Sequence, residues 1–195
     1  EMKQADARLQ QLGQFKVSTI IGIHPWLAMC NGQPVTELPH LVLQDSHVQW
    51  LFNKGHDAQV GGQHLHGVVS AAHDLVDMTA DQIIDIAVRE TRRFLPGARD
   101  AKLLHARVLK EHRATCSALP GIGRLRPGAR GSIHNLYLAG DWCTSGWPAT
   151  MEGAVRSGYI AATALLNDQH VAQANTLQPI IPDLKPSWLY EVVAG

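Results

Sequence analysis

The period of apolar and polar positions changes several times along the chain. Residues Phe15–Trp26 (FKVSTIIGIHPW) are rich in β-branched and apolar side chains and predict a strand. Asn31–Gln33 followed by Pro34 marks a turn. Leu41–Leu43 and His47–Asn53 predict a second and a third strand, Lys54–Gly62 a polar connection, and Leu65–Ala72 a fourth strand. Alternation puts Val48, Trp50 and Phe52 on one face of the third strand, and His64 with His66 on one face of the next.

The period then lengthens. Ile83, Ile84, Ala87, Val88, Thr91, Phe94 and Leu95 recur at helical spacing, with Asp85, Arg89, Glu90, Arg92 and Arg93 on the other side. Thr79 with Gln82 three residues on predicts a capping box at the start, and Pro96-Gly97 stops the helix. Lys102–Thr115 predicts a long strand with one charged face, and Ser117–Ile133 an irregular Gly- and Pro-rich stretch. Asn135–Gly140 predicts a short apolar strand, and Met151–Leu166 an Ala-rich helix. The expected fold class is mixed α and β, closing on a strand–loop–helix unit unlike the sheet before it.

Composition narrows the function. The 195 residues carry 17 Lys+Arg against 17 Asp+Glu, with no local basic stripe, which excludes nucleic-acid binding by charge. The 45% hydrophobic content excludes a disordered chain, and no apolar run is long enough to predict a spanning helix. Cys30, Cys116 and Cys143 lie far apart, so they predict neither a disulfide framework nor a zinc knuckle and fit a reducing compartment. His64 and His66 make a pair without an evident third ligand, and no metal site is expected from them.

The chemistry concentrates in NLYLAGDWCTSGWPATMEGAVRSGYIAATALL, Asn135–Leu166. An apolar strand delivers Gly140 and Asp141 at its C-terminal end, the edge where open α/β sheets hold cofactors. Gly140 allows close approach of a ligand to the backbone, and Asp141 accepts hydrogen bonds from ligand hydroxyls. Thr150 is a favourable N-cap, so the backbone N–H groups of Met151, Glu152 and Gly153 point out of a helix start suited to an anion or an electron-rich carbonyl. Glu152 is a catalytic carboxylate or, more simply, a partner of the helix dipole. Trp142 and Trp147 line an apolar channel or wedge the loop, Arg156 touches a ligand or solvent, and Trp50 with Phe52 forms a lipid-pocket wall or plain sheet core.

This stretch resembles the FAD-dependent amine oxidase and phytoene desaturase superfamily. The likeness rests on LAGD followed about ten residues later by MEGAVRSG, and extends through QWLFNKG, ARVLKEHRATCSALPG and RPG over most of Ser18–Leu166. Within the superfamily, DWCTSGWPATMEGAVRSGY is most similar to the squalene-associated enzymes, the hydroxysqualene dehydroxylases. Amine oxidases typically carry an aromatic residue where this chain has Thr150, and Cys143 stands where the dehydroxylase pattern has Thr.

The resemblance implies FAD as cofactor, with Gly140, Asp141, Trp147, Thr150, Met151, Glu152 and Gly153 around it. Asp141 would lie by the ribityl–pyrophosphate part, and the Met151 N–H at the pyrimidine edge of the flavin. The implied activity is reductive removal of a hydroxyl from hydroxysqualene to give squalene. A carotenoid-type desaturase and a non-catalytic lipid-binding module are the alternatives. No side chain is an evident catalytic acid or base. The family's opening Gly-x-Gly-x-x-Gly turn does not occur, since Gly121-Ile-Gly123 lacks the third glycine. The chain is therefore expected to be the C-terminal part of a longer flavoprotein whose N-terminal FAD-binding part is missing. Residues 1–113 would belong to the substrate domain, 114–168 to the end of the FAD domain, and 169–195 to a tail. An apolar isoprenoid substrate implies a cytoplasmic protein, or one peripheral on the cytoplasmic membrane face, with the apolar segment Trp188–Val193 contributing.

Overall fold

Five stretches of alternating residues fold into one antiparallel sheet in the computed structural model, which describes residues 2–170. The strands are β1 (Val17–Leu27), β2 (His40–Val42), β3 (Trp50–Asp57), β4 (Gly62–Ser70) and β5 (Leu103–Cys116), in the order β2-β3-β4-β1-β5. Every pairing in this sheet is antiparallel. The helices are α1 (Met2–Ala5), α2 (Ala7–Gln11), α3 (Ala80–Phe94) and α4 (Met151–Asp168). Two compact units result, one of Lys16–Ser117 and one in which the residues before it join those from Ala118 onward.

In the sheet unit, alternation sorts the strands into two faces. Ile21, Ile23, Leu51, Leu65 and Val69 point to one side and join Ile83 and Ala87 of α3 in the core. The expected capping box forms: Gln82 N–H donates to Thr79 Oγ1 at 3.3 Å and Thr79 N–H to Gln82 Oε1 at 2.9 Å. Glu90 of α3 is only 9% exposed and anchors the loop before β3. Its carboxylate accepts from Ser46 Oγ at 2.6 Å, Val48 N–H at 3.0 Å, and His47 through N–H at 3.1 Å and Nδ1 at 2.8 Å. These donors outweigh burial and hold the Glu90 carboxyl below its usual range. Lys110 of β5 donates to the Val76 and Met78 carbonyls, fixing the turn that enters α3.

In the second unit, Asp6 caps α2, and buried Arg8 returns to Asp6 while donating to the Ala129 carbonyl at 2.5 Å. A Cβ at Gly131 would overlap the Arg8 guanidinium, so a side chain there would displace this clamp. This clamp joins residues some 120 positions apart and holds the irregular segment ahead of α4.

Several local expectations need correction. Asn135–Gly140 is not a strand. An extended segment becomes a strand only beside a partner, and no strand pairs with it among the described residues. Its backbone bonds elsewhere: Leu138 N–H to the Ala129 carbonyl at 3.1 Å, and Gly140 N–H to Ser157 Oγ at 2.8 Å. β3 begins at Trp50 rather than His47 because His47 and Val48 bond to Glu90 instead, and it runs on to Asp57 through the expected connection. The boundary drawn at 113/114 falls inside β5. The segment Trp188–Val193 lies outside the described residues.

Candidate functional site

Two places in the structure gather chemistry-bearing residues, one in each unit. The first is the turn from Gly140 to the start of α4. Gly140 takes φ +151°, where a Cβ would also overlap the Trp142 indole, so only glycine fits. Cys143 N–H closes the turn on the Gly140 carbonyl at 3.0 Å. Cys143 is buried, and burial pushes its thiol up to about 11, so it stays protonated. Arg126 crosses beneath the loop, donating from Nη2 to the Asp141 carbonyl at 2.7 Å and from Nη1 to the Trp147 carbonyl at 2.5 Å.

Thr150 caps α4 as expected, accepting from Gly153 N–H at 3.2 Å. A Cβ at Gly153 would overlap the Pro148 carbonyl oxygen, so glycine lets the loop fold tightly onto the first helical turn. Glu152 accepts from Arg156 Nε at 2.6 Å, and the Arg156 guanidinium lies 4.8 Å from the centre of the Trp147 ring. Glu152, Arg156 and Trp147 thus brace loop against helix. Met151, at the tip, is 88% exposed. The Met151 and Glu152 N–H groups and the Asp141 carboxylate make no hydrogen bond among the described residues. The turn therefore offers two backbone donors and one carboxylate acceptor to a ligand.

The second place is the sheet face opposite α3. Register builds it in rows. His40 lies opposite Phe52 and Phe52 opposite His66, and the pairing of β1 with β4 sets His24 beside His66. The next row runs Val42, Trp50, Val68, Gly22 and Leu109, and on the other side His64, Trp26 and His105 align. His24 stacks on His66 at 4.2 Å and Trp26 on His64 at 4.2 Å, while His24 Nδ1 and His64 Nε2 share a hydrogen bond at 3.0 Å. Trp50 stacks on Phe52 at 5.7 Å and is 41% exposed. Trp26 Nε1–H donates to Asp57 at 2.7 Å.

Burial first, then the cations Lys54 and Arg107, holds the His24 imidazole below its usual range. Burial and the charge of His24 do the same to His64, and His66 is lowered to about 4 chiefly by burial. The three imidazoles are therefore mostly neutral near pH 7, and they form an aromatic floor bordered by the cations Lys54 and Arg107. Of these residues, sequence alternation finds Trp50 with Phe52 and His64 with His66. It misses His24 and Trp26, although Gly22, His24 and Trp26 alternate with Ile21 and Ile23 in β1. No cluster of three or more His, Cys, Asp or Glu suited to a metal ion occurs among the described residues.

With this geometry in hand, known proteins are informative. A family model described as flavin containing amine oxidoreductase matches residues 24–166. A hydroxysqualene dehydroxylase of Sinorhizobium fredii is 34% identical over 69% of this chain and 30% of its own length. A protein of the same name from Rhodopseudomonas palustris is 37% identical over 61% of this chain and 26% of its own. A 15-cis-phytoene desaturase of Solanum lycopersicum is 33% identical over 53% of this chain and 19% of its own. The chain thus spans less than a third of these relatives' lengths. The crystal structure of a putative protoporphyrinogen oxidase from Exiguobacterium shares the fold, with a TM-score of 0.55 and 12% identity over 83% of this chain and 37% of that one.

Flavin as cofactor can be tested against the residues present. The unbonded N–H groups at the start of α4 match the carbonyl-bearing pyrimidine edge of an isoalloxazine, and the unbonded Asp141 carboxylate matches ribityl hydroxyls. Gly140 and Gly153, where side chains would collide, keep the approach narrow. The residues fit one end of FAD.

Proposed function

The chain belongs to the flavin-containing amine oxidoreductase family, and from that premise we propose that it forms part of an FAD-dependent oxidoreductase that removes the hydroxyl of hydroxysqualene to give squalene. The observation that carries the reading is the Gly140–Gly153 turn, whose two N–H groups and carboxylate, unbonded among the described residues, match a flavin inside the family-matched segment. The two dehydroxylase relatives support this substrate over others.

In this reading Met151 and Glu152 N–H groups and Asp141 hold the flavin, Gly140 and Gly153 let the turn fold tightly, and Thr150 with the Trp147–Arg156–Glu152 brace fixes it. FAD supplies two-electron chemistry when bound, and residues beyond this chain supply its remaining contacts. Donors aimed at the pyrimidine edge favour negative charge on the reduced ring. The aromatic floor gives an isoprenoid chain an apolar surface that excludes water. A carotenoid desaturase is the second reading, favoured by the phytoene desaturase relatives. Family membership favours either enzyme over a non-catalytic lipid module.

An isoprenoid substrate dissolves in bilayers, so the proposal includes peripheral contact with the cytoplasmic face of a membrane. Among the described residues no helix is long and apolar enough to cross one. The test is anaerobic incubation of the full-length, FAD-loaded protein with hydroxysqualene and a reductant or, separately, with phytoene and a quinone as electron acceptor, followed by product analysis. Squalene from the first and no desaturation of the second is expected. Desaturated phytoene without squalene would overturn the proposal in favour of the second reading.

A further inference from the structure

The row that crosses the centre of the aromatic floor is interrupted at Gly22, between Val68 and Leu109. A Cβ at this position would stand 3.2 Å from His66 Nε2 and 3.6 Å from His24 Nε2. Two imidazole nitrogens therefore converge beside a bare patch of backbone, in a surface of apolar side chains and ring faces bordered by Lys54 and Arg107. The geometry points to a hydroxyl-binding site at Gly22, formed by His24 and His66, that takes the alcohol group of an otherwise apolar molecule lying on Trp50 and Phe52.

The chemistry of the nitrogens matches that group. A hydroxyl donates one hydrogen bond and accepts another, and neutral imidazoles present both a donor and an acceptor nitrogen. A pure hydrocarbon would leave both nitrogens unpaired against it, at the cost of their desolvation. The site therefore selects an alcohol over its deoxygenated counterpart.

His64 adds a second capability. The 3.0 Å bond between His24 Nδ1 and His64 Nε2 holds one proton. When His64 is the donor, His24 is bare at Nδ1 and carries its proton on Nε2, toward Gly22. His24 can then give that proton to the hydroxyl oxygen while taking another from His64, which refills at Nδ1 with a proton from solvent. Each ring loses one proton and gains one, so neither is left charged. Lys54 and Asp57 of β3 and Arg107 and His105 of β5 face this pair, and the two cations disfavour a lasting imidazolium.

This proton step rests on the proposed dehydroxylation. In it the C–O bond breaks with its electron pair on oxygen and the oxygen takes the His24 proton and leaves as water; a bound reduced flavin would supply the hydride equivalent that the carbon needs. Alcohol plus hydride plus proton gives hydrocarbon plus water. His24 and His66 are catalytic residues in this account because they touch the substrate oxygen, whereas His64 is a positioning residue acting through His24.

The test measures binding and turnover separately on the full-length protein. Binding of hydroxysqualene and of squalene is followed by tryptophan fluorescence in the wild type and in His24→Phe, His66→Phe and Gly22→Ala. The wild type is expected to prefer the alcohol about tenfold or more, the worth of one or two net hydrogen bonds. Each phenylalanine variant should bring that ratio close to one, binding the alcohol more weakly and squalene no less tightly. The phenylalanine variants preserve ring stacking, so they carry the test even where Gly22→Ala perturbs the strand. His64→Phe should keep the alcohol preference and KM but lower kcat and flatten its pH profile. Equal wild-type affinity for both molecules, or a preference that survives His24→Phe and His66→Phe, overturns the site. An unchanged kcat in His64→Phe overturns the proton route. An alcohol preference lost in the variants but with no squalene formed by the wild type overturns the dehydroxylase reading and leaves the site standing.

Discussion

Neutral imidazoles on the sheet face make stability depend on pH in a defined window, and His66 gives the size of the effect. Its folded value of about 4 lies below the ordinary 6.5, so between these limits the unfolded chain binds the proton that the folded chain refuses. Stability is complete above the unfolded value and is lost as pH falls toward the folded one. From about pH 7.5 to about pH 5 the linkage relation gives a loss of about 2 kcal/mol from this ring alone, reduced to about 1–2 kcal/mol by solvent screening of a half-buried group. Carboxylates with lowered values, such as Glu90, release their contribution mostly below this window. The perturbation is His66→Phe, which keeps a ring stacked on His24 but cannot titrate. Urea unfolding is followed at both pH values by tryptophan fluorescence, to which Trp26 and Trp50 of the sheet contribute. The gap in unfolding free energy between them should shrink in the variant by about 1–2 kcal/mol. His24 and His64, lowered for the same reasons, should supply the remainder of the gap. An identical gap in wild type and variant would refute the claim that the floor is held neutral by burial.

Other perturbations address the scaffold and the flavin turn. Glu90→Ala removes four hydrogen bonds and strands the Val48 N–H, and should cost about 3–5 kcal/mol, seen as a lower melting temperature. Gly153→Ala should lower the FAD content of the purified full-length protein several-fold, because the added methyl forces Pro148 away from the helix start; normal flavin content would show that the tight turn is dispensable. Asp141→Ala should weaken FAD binding about tenfold, the worth of a charge-assisted hydrogen bond, with little change in melting temperature since the carboxylate bonds to no described residue. Unaltered FAD affinity in that variant would remove Asp141 from the site.

The features legible in the sequence are those decided locally. Thr79 and Gln82 specify the start of α3 within four residues, and Thr150 does the same for α4. Alternation in Phe15–Trp26 marks β1 because each side chain's face follows from its neighbours in the chain. What stays hidden depends on partners distant in sequence. Asn135–Gly140 has strand composition, yet its backbone finds Ala129 and Ser157 instead of a neighbouring strand. Arg8 lies in a polar stretch that gives no sign of its bond to Ala129. The histidine floor is an intermediate case. Period two pairs His64 with His66, but bringing His24 to them requires the register of β1 on β4, which no local pattern encodes. The turn around Gly140–Gly153 was readable as a motif, while its bracing by Arg126 depends on a residue outside the motif.

The central claim is that this chain helps a reduced flavin replace a hydroxyl by hydrogen on an isoprenoid alcohol. The most direct measurement is a single turnover of the full-length protein, its FAD reduced and oxygen excluded, mixed with hydroxysqualene. One squalene formed for each flavin reoxidised is the predicted result. Flavin that stays reduced in the presence of bound hydroxysqualene would contradict the account.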